Sequence, residues 1–282
     1  MSTKTLSFLI LLAGALGGVW LYQYYSEDAS EIETTSNANM LERDSQYEVS
    51  TSDVQYHADT SGFFARPADD GAYPGVVMIH EWWGLNDNIK DMARQLAGEG
   101  YIVLAVDLFG SVAQTPEEAR AQTNSLDQAE AIGNMNAAIS YMRERGATSL
   151  ASLGWCFGGG QSLQFALARG TSANNTPPLA LDATVIYYGS LVTDEARLTN
   201  VEWPVLGIFG EEDSSIPVDT VRMFDTTLDA LGTPNEIYIY PDVGHAFANP
   251  SGTNYAPKET VDAWEKTLAF LNTHLKQKTP AP

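Results

Sequence analysis

Leu150-Ala151-Ser152-Leu153-Gly154-Trp155-Cys156-Phe157-Gly158-Gly159-Gly160 runs from a short apolar stretch into a cysteine with glycine two residues away on either side. An apolar run of this length bounded by glycine reads as a buried strand, and Gly158 to Arg169 behind it reads as a helix. Cys156 then occupies a sharp strand-to-helix turn, where a Cβ on a flanking residue would collide with neighbouring backbone. Such a turn lifts the side chain at its apex clear of the sheet, as a nucleophile requires. The plainer alternative is a small buried apolar side chain. That alternative leaves both flanking glycines and the Gly159-Gly160 tail without a reason. Cys156 is also the single cysteine of the 282 residues, so no intrachain disulfide forms and the core alone must stabilise the fold.

Strands and helices alternate on both sides of this turn. Upstream, Glu48 to Tyr56 and Gly62 to Arg66 predict a hairpin turned by Asp59-Thr60-Ser61-Gly62. Val76 to His80 and Tyr101 to Val106 are continuous apolar strands, and between them Ile89, Met92, Ala93 and Leu96 share one face of a helix over Asp87 to Glu99. Helical patterns follow from Pro116 to Asn124 and from Leu126 to Arg145. Downstream come strands at Ala183 to Tyr188, Val205 to Phe209 and Ile237 to Tyr240, a helix over Val218 to Leu231 and a terminal helix around Val261 to Leu275. Such alternation predicts an α/β fold with a mainly parallel central sheet and helices on both faces. A single domain over 47–278 accommodates it.

A thiol becomes a strong nucleophile at neutral pH when a base takes its proton, and the base needs a third group to orient it. Active sites of open parallel sheets lie beyond the carboxyl ends of the strands. Two strands run there into Gly210-Glu211-Glu212-Asp213 and Asp242-Val243-Gly244-His245-Ala246-Phe247. His245 is the candidate base, because His57 falls in the hairpin, His80 at a strand end and His274 in the last helix. Asp213 is the candidate orienting acid, in competition with Glu211 and Glu212, which also read as solvated loop acids. Asp242 lies so near His245 that a turn role is the simpler account. Cys156, Asp213 and His245 thus supply nucleophile, acid and base in that chain order.

Together these pieces resemble the dienelactone hydrolase family of α/β-hydrolases. The likeness is carried by His80-Glu81-Trp82-Trp83-Gly84, Asp107-Leu108-Phe109-Gly110, Gly154 to Gly159, Tyr187-Tyr188-Gly189, Gly210 to Asp213 and Gly244-His245-Ala246-Phe247, which span the whole expected domain. The resemblance implies the α/β-hydrolase fold and a hydrolase that opens a lactone or cleaves a small carboxylic ester. It implies the backbone amides of Phe157 and Trp82 as an oxyanion hole. It also implies that Glu81 contacts the thiol in the resting enzyme and releases it when substrate binds; a carboxylate so placed disfavours the thiolate and shields the sulfur from oxidation. An ordinary loop or capping acid is the plainer reading of Glu81.

Trp83 and Trp155, with Trp82, are candidate aromatics of a substrate pocket, packing being the alternative. Family members hold a substrate carboxylate with two arginines. Arg120 matches one position, against the reading of a surface charge paired with Glu117, and the other position is Asn249. That departure brings in neutral carboxylic esters or thioesters as rival substrates. An inactive hydrolase-fold binding protein displayed on a membrane is the rival outside the enzyme class. No metal and no organic cofactor is expected.

A formal net charge of -21 repels phosphate backbones, so nucleic acid is not an expected partner. At the N-terminus Lys4 precedes Leu6 to Tyr25, which is almost entirely apolar and ends in Trp20, Tyr22, Tyr24 and Tyr25. At about 1.5 Å rise per residue the segment 1–25 can cross a hydrocarbon core of roughly 30 Å, with the aromatics as an interfacial belt. Residues 26–46, rich in Ser, Thr, Asn and acids, read as a flexible tether. The expectation is an exported domain, anchored on the periplasmic side of the inner membrane, touching the membrane through this segment alone and monomeric. A cleaved signal peptide is the alternative, although no A-x-A-like site follows the apolar run.

Overall fold

The computed structural model describes residues 45–169 and 181–277. The expected anchor (1–25), nearly all of the expected tether (26–46) and residues 170–180 and 278 of the expected domain lie outside them. No helix among the described residues is long and apolar enough to cross a membrane.

β1 (Val49–His57) and β2 (Thr60–Pro67) form the antiparallel hairpin, with Val49 opposite Pro67 and His57 opposite Thr60. The reversal is tighter than the sequence suggests. It runs through Ala58, at φ 41°, and Asp59, so Thr60 to Gly62 already belong to β2. A two-residue turn with positive φ matches the right-handed twist of its flanking strands, which a longer loop does not require.

Six further strands complete the sheet: β3 (Gly75–Ile79), β4 (Ile102–Val106), β5 (Leu150–Trp155), β6 (Ala183–Tyr187), β7 (Val205–Gly210) and β8 (Asn235–Tyr240). The spatial order is β1-β2-β4-β3-β5-β6-β7-β8. β2 meets β4 antiparallel, and every pair from β4 through β8 is parallel. Every residue of β3 to β7 is buried, as the unbroken apolar runs require of strands covered on both faces.

α1 (Asp87–Gly98), α2 (Pro116–Ser125), α3 (Gln128–Arg143), α4 (Phe157–Arg169), α5 (Glu195–Leu198), α6 (Val218–Leu231) and α7 (Pro257–Leu271) fill the connections. Their starts are written locally: Asn86, Thr115 and Asp127 cap α1, α2 and α3 by accepting amide hydrogen bonds from the first turn. α7 begins a turn earlier than its apolar pattern indicates, because Pro257 suits the first helical position. It runs on into a π-helical turn over Asn272–Lys276. The short α5, capped by Asp194, carries too little periodicity to be read from sequence.

On one face Val77, Ile79 and Leu104 pack with Met135, Ile139 and Met142 of α3, and further along Ile186 and Phe209 pack with Val221, Phe224 and Leu228 of α6. α1 and α7 cover the other face: Arg94 lies over the Phe63 ring at 4.6 Å, and the Tyr187 hydroxyl donates to the Ala263 carbonyl at 3.0 Å. Truncating a side chain at the centre of this core leaves a cavity as well as losing transfer free energy. Leu104→Ala is expected to cost about 3 kcal/mol in chemical denaturation, against less than about 0.5 kcal/mol for Thr51→Ala on the exposed β1 edge.

Candidate active site

β5 ends at Trp155 and Cys156 turns the chain into α4 with φ 54°. That conformation costs a non-glycine residue roughly 1–2 kcal/mol, so the surroundings must impose it. They do so through backbone contact. A Cβ on Gly154 would lie 2.1 Å from the Gly158 carbonyl oxygen, and one on Gly158 would lie 2.3 Å from that of Ile79. The Cys156 amide donates to the Tyr187 carbonyl of β6 at 3.0 Å. The sulfur is thereby held beyond the sheet edge at the N-terminus of α4, whose dipole favours negative charge there.

The loops after β7 and β8 bring the other two groups to it. His245 Nε2 is 3.1 Å from Cys156 Sγ, and its Nδ1 is 2.7 Å from Asp213 Oδ2. Asp213 prevails over its neighbours by burial: Glu211 and Glu212 face solvent, while Asp213 is 3 % exposed. Its second oxygen accepts the Ser215 and Ile216 amides at 2.8 and 3.1 Å, so both oxygens have fixed partners. Asp242 is exposed at φ 58° and serves the turn before His245. Burial of the His245 ring works against its charge. Hydrogen bonds to Asp213 and Cys156, with the charges of both, outweigh that and push its pKa up. The arrangement can pass a proton from sulfur to imidazole and hold the resulting imidazolium against a carboxylate.

Glu81, two residues past β3, is buried beside this group but does not hydrogen-bond the thiol. The contact implied by the resemblance is replaced: Sγ pairs with His245, and Glu81 Oε2 accepts from Asn249 Nδ2 at 2.5 Å. Asn249 is itself fixed, since its Oδ1 accepts from the Ser251 amide at 2.9 Å and the Ser251 hydroxyl at 2.7 Å. Burial raises the Glu81 carboxyl, the His245 charge and the Asn249 hydrogen bond lower it, and the balance is about 7.

Tyr188, which the sequence places at a strand end and within the family likeness without a role, also belongs here. It follows β6 with φ 35°, is fully buried, and sets its ring edge against His245 at 5.3 Å. Asn254, likewise missed, donates to the His245 carbonyl at 3.0 Å. Gly189, where a Cβ would meet the Gly159 backbone at 2.3 Å, is the local mark beside Tyr188, and no comparable mark stands at Asn254.

A cavity of about 630 Å³ opens over the sulfur. Glu81, Trp82, Trp83, Arg120, Phe157 and Asn249 all contribute to its wall. Trp82 and Trp83 pack edge to face at 5.0 Å. Arg120 of α2 reaches the cavity from an exposed position; the alternative pairing with Glu117 does not form, and among the described residues Arg120 has no ion pair. Trp155 does not line the cavity. As the last residue of β5 it stands opposite Tyr187 on the α7 face, 4 % exposed, with the two rings 5.5 Å apart. The period-two alternation of a strand sends it away from the side to which Cys156 turns. Among the described residues no group of three or more His, Cys, Asp or Glu side chains is placed to hold a metal ion.

The Phe157 and Trp82 amides make no hydrogen bond to another backbone group among the described residues outside regular strands and helices. Both residues face the cavity, which fits donors left free for a ligand.

Sheet order, elbow and loop placement together define an α/β-hydrolase. The chain belongs to the dienelactone hydrolase family, whose sequence pattern matches residues 60–275. A Salmonella typhimurium protein named as a carboxymethylenebutenolidase is 30% identical over 231 residues, covering 76% of this chain and 82% of its own. The usf protein of Aquifex pyrophilus is 32% identical over 227 residues, covering 76% and 93%. A crystal structure titled as a dienelactone hydrolase of Klebsiella pneumoniae superposes with TM-score 0.71 at 26% identity, over 82% of this chain and 99% of that one. The protein is a hydrolase of this family.

Two outcomes follow from the geometry. Gly154→Ala forces the elbow and helix backbones apart, so thermal melting should fall and ester hydrolysis should drop to background. Glu81 holds its proton more tightly folded than unfolded, so between pH 4.5 and about 7 the native state carries the extra proton and stability falls as pH rises. Glu81→Gln keeps an acceptor for Asn249 and removes that effect. Urea titrations should find the variant more stable than wild type by about 3 kcal/mol at roughly pH 8 and equal to it near pH 4.

Proposed function

We propose that the protein hydrolyses a small carboxylic ester or lactone through a covalent acyl-enzyme on Cys156. The observation that carries this reading is the unbroken chain from Sγ through His245 to the buried Asp213 carboxylate, opening on the cavity. The Cys156 proton moves to His245 Nε2 and the sulfur attacks the carbonyl carbon. The carbonyl π pair becomes an oxyanion between the Phe157 and Trp82 amides. As the carbonyl re-forms, the C–O bond to the leaving oxygen breaks and His245 returns its proton to that oxygen. In a lactone the freed alcohol stays attached to the acyl chain. Water then gives a proton to His245 and adds to the thioester carbonyl, and collapse releases the acid and restores the thiol. Asp213 holds the imidazole in the required tautomer and stabilises its charge throughout.

For the substrate, Arg120 supplies one unpaired cation at the cavity wall, suited to a single carboxylate. A second reading, hydrolysis of neutral esters or thioesters, is favoured by Asn249, whose amide is already committed to Glu81 and Ser251. Export with an N-terminal anchor rests on the charge and hydropathy of residues 1–25.

Assays of the soluble domain with an aryl acetate and with a dienelactone test both levels. Cys156→Ala should reduce turnover of either to background, and His245→Ala should reduce kcat by about 10⁴-fold. Full activity in Cys156→Ala overturns the mechanism. Arg120→Ala should raise KM for the carboxylated substrate by about tenfold and leave the neutral ester unaffected; equal effects on both remove Arg120 from substrate recognition.

A further inference from the structure

His80 is completely buried beneath the Glu81-to-Gly84 loop, and nothing in the mechanism so far uses it. Its Nε2 is 3.1 Å from the Leu108 amide and its Nδ1 is 2.6 Å from the Glu81 carbonyl oxygen. A backbone N–H only donates, so Nε2 is the bare acceptor, and Nδ1 must carry the proton and donate to Glu81. The remaining charged neighbour is Asp107, 4.0 Å from Nε2, whose Oδ1 already accepts the Phe109 and Gly110 amides. Burial depresses the ring's pKa and keeps it neutral.

The consequence lies one bond further along. The structure contains no cis peptide bond among the described residues, and in a trans peptide the carbonyl and the following N–H point in opposite directions. Drawing the Glu81 carbonyl down onto His80 therefore aims the Trp82 N–H the opposite way. The Gly84 amide holds the same oxygen at 3.2 Å, so two donors fix that peptide plane. His80 reaches the other proposed oxyanion donor by packing: its ring stacks on Phe157 with centroids 5.9 Å apart and planes 18° from parallel. A Cβ on Gly158 would meet the His80 carbonyl at 2.5 Å, so the start of α4 rests directly on this residue.

We propose that His80 is a positioning residue for the oxyanion hole, its Nδ1–H setting the direction of the Trp82 amide while its ring supports Phe157. The proposal rests on the oxyanion hole of the mechanism above. His80 touches no reacting atom; its effect passes through the Glu81–Trp82 peptide.

Two substitutions separate the halves of the imidazole. His80→Asn keeps a donor at the Nδ1 position and loses the acceptor for Leu108. His80→Gln keeps an acceptor near Nε2 and loses the donor to Glu81. Single-turnover acylation by an aryl ester should slow about 100-fold in His80→Gln, with KM within about twofold, and no more than about tenfold in His80→Asn. Alkylation of Cys156 by iodoacetamide forms no oxyanion and should stay within about twofold of wild type in both variants. Equal acylation losses in the two, or alkylation falling in parallel, overturn the positioning role. Cys156→Ala run alongside distinguishes that failure from failure of the nucleophile itself, since only the latter leaves its turnover intact. Should neither variant fold, nitrogen NMR of wild-type His80 decides: Nδ1 protonated and Nε2 bare between roughly pH 6 and 9 is the expected result. The opposite tautomer, or a charged ring, overturns the proposal.

Discussion

The site depends on one steric constraint, the approach of backbone to backbone around Cys156. Gly154 and Gly158 leave no room for a side chain, and that closeness lets α4 start directly behind the sulfur with its backbone against the carbonyls of Ile79 and His80. Both the positive φ of Cys156 and the nearness of the β3 loop follow from it. A residue strained in this way persists only where its surroundings are rigid, and here those surroundings are the buried, parallel centre of the sheet. The core thus fixes the position of the sulfur as well as the stability of the fold.

Around that fixed point the polar groups divide between two hydrogen-bonded chains. One runs from Cys156 through His245 to Asp213 and ends in the Ser215 and Ile216 amides. The other runs from Glu81 through Asn249 to Ser251. They meet without a direct hydrogen bond between Glu81 and the thiol, so the sulfur has His245 as its partner. The glutamate lowers its own ionisation by being buried, and it answers to the histidine by charge alone. Asn249, where the resemblance implies a cation, gives Glu81 a neutral partner.

Much of this was legible in the sequence because several local signals agreed. The glycine spacing around Cys156, the continuous apolar strands and the loop positions of Asp213 and His245 all refer to the same sheet edge. Preferring Asp213 over Glu211 and Glu212 agrees with the structure, but no local pattern explains it, since it turns on which carboxylate the loop after β7 buries. Trp155 was misplaced because proximity in sequence to Cys156 says nothing of the face on which a strand's last side chain stands. Tyr188 and the Glu81–Asn249 pair depend on contacts between distant loops, 168 residues apart in the latter case, which no local pattern encodes. The segment 1–25 is the converse, with a strong sequence signal that lies outside the described residues.

The proposed reaction passes through an acyl group carried on the Cys156 sulfur. Rapid-quench mass spectrometry of the protein during turnover of an aryl ester tests it most directly. The account predicts a transient mass increase equal to the acyl group, located on the peptide containing Cys156, forming and decaying at rates that match turnover. Steady hydrolysis with no adduct, or an adduct on another residue, contradicts it.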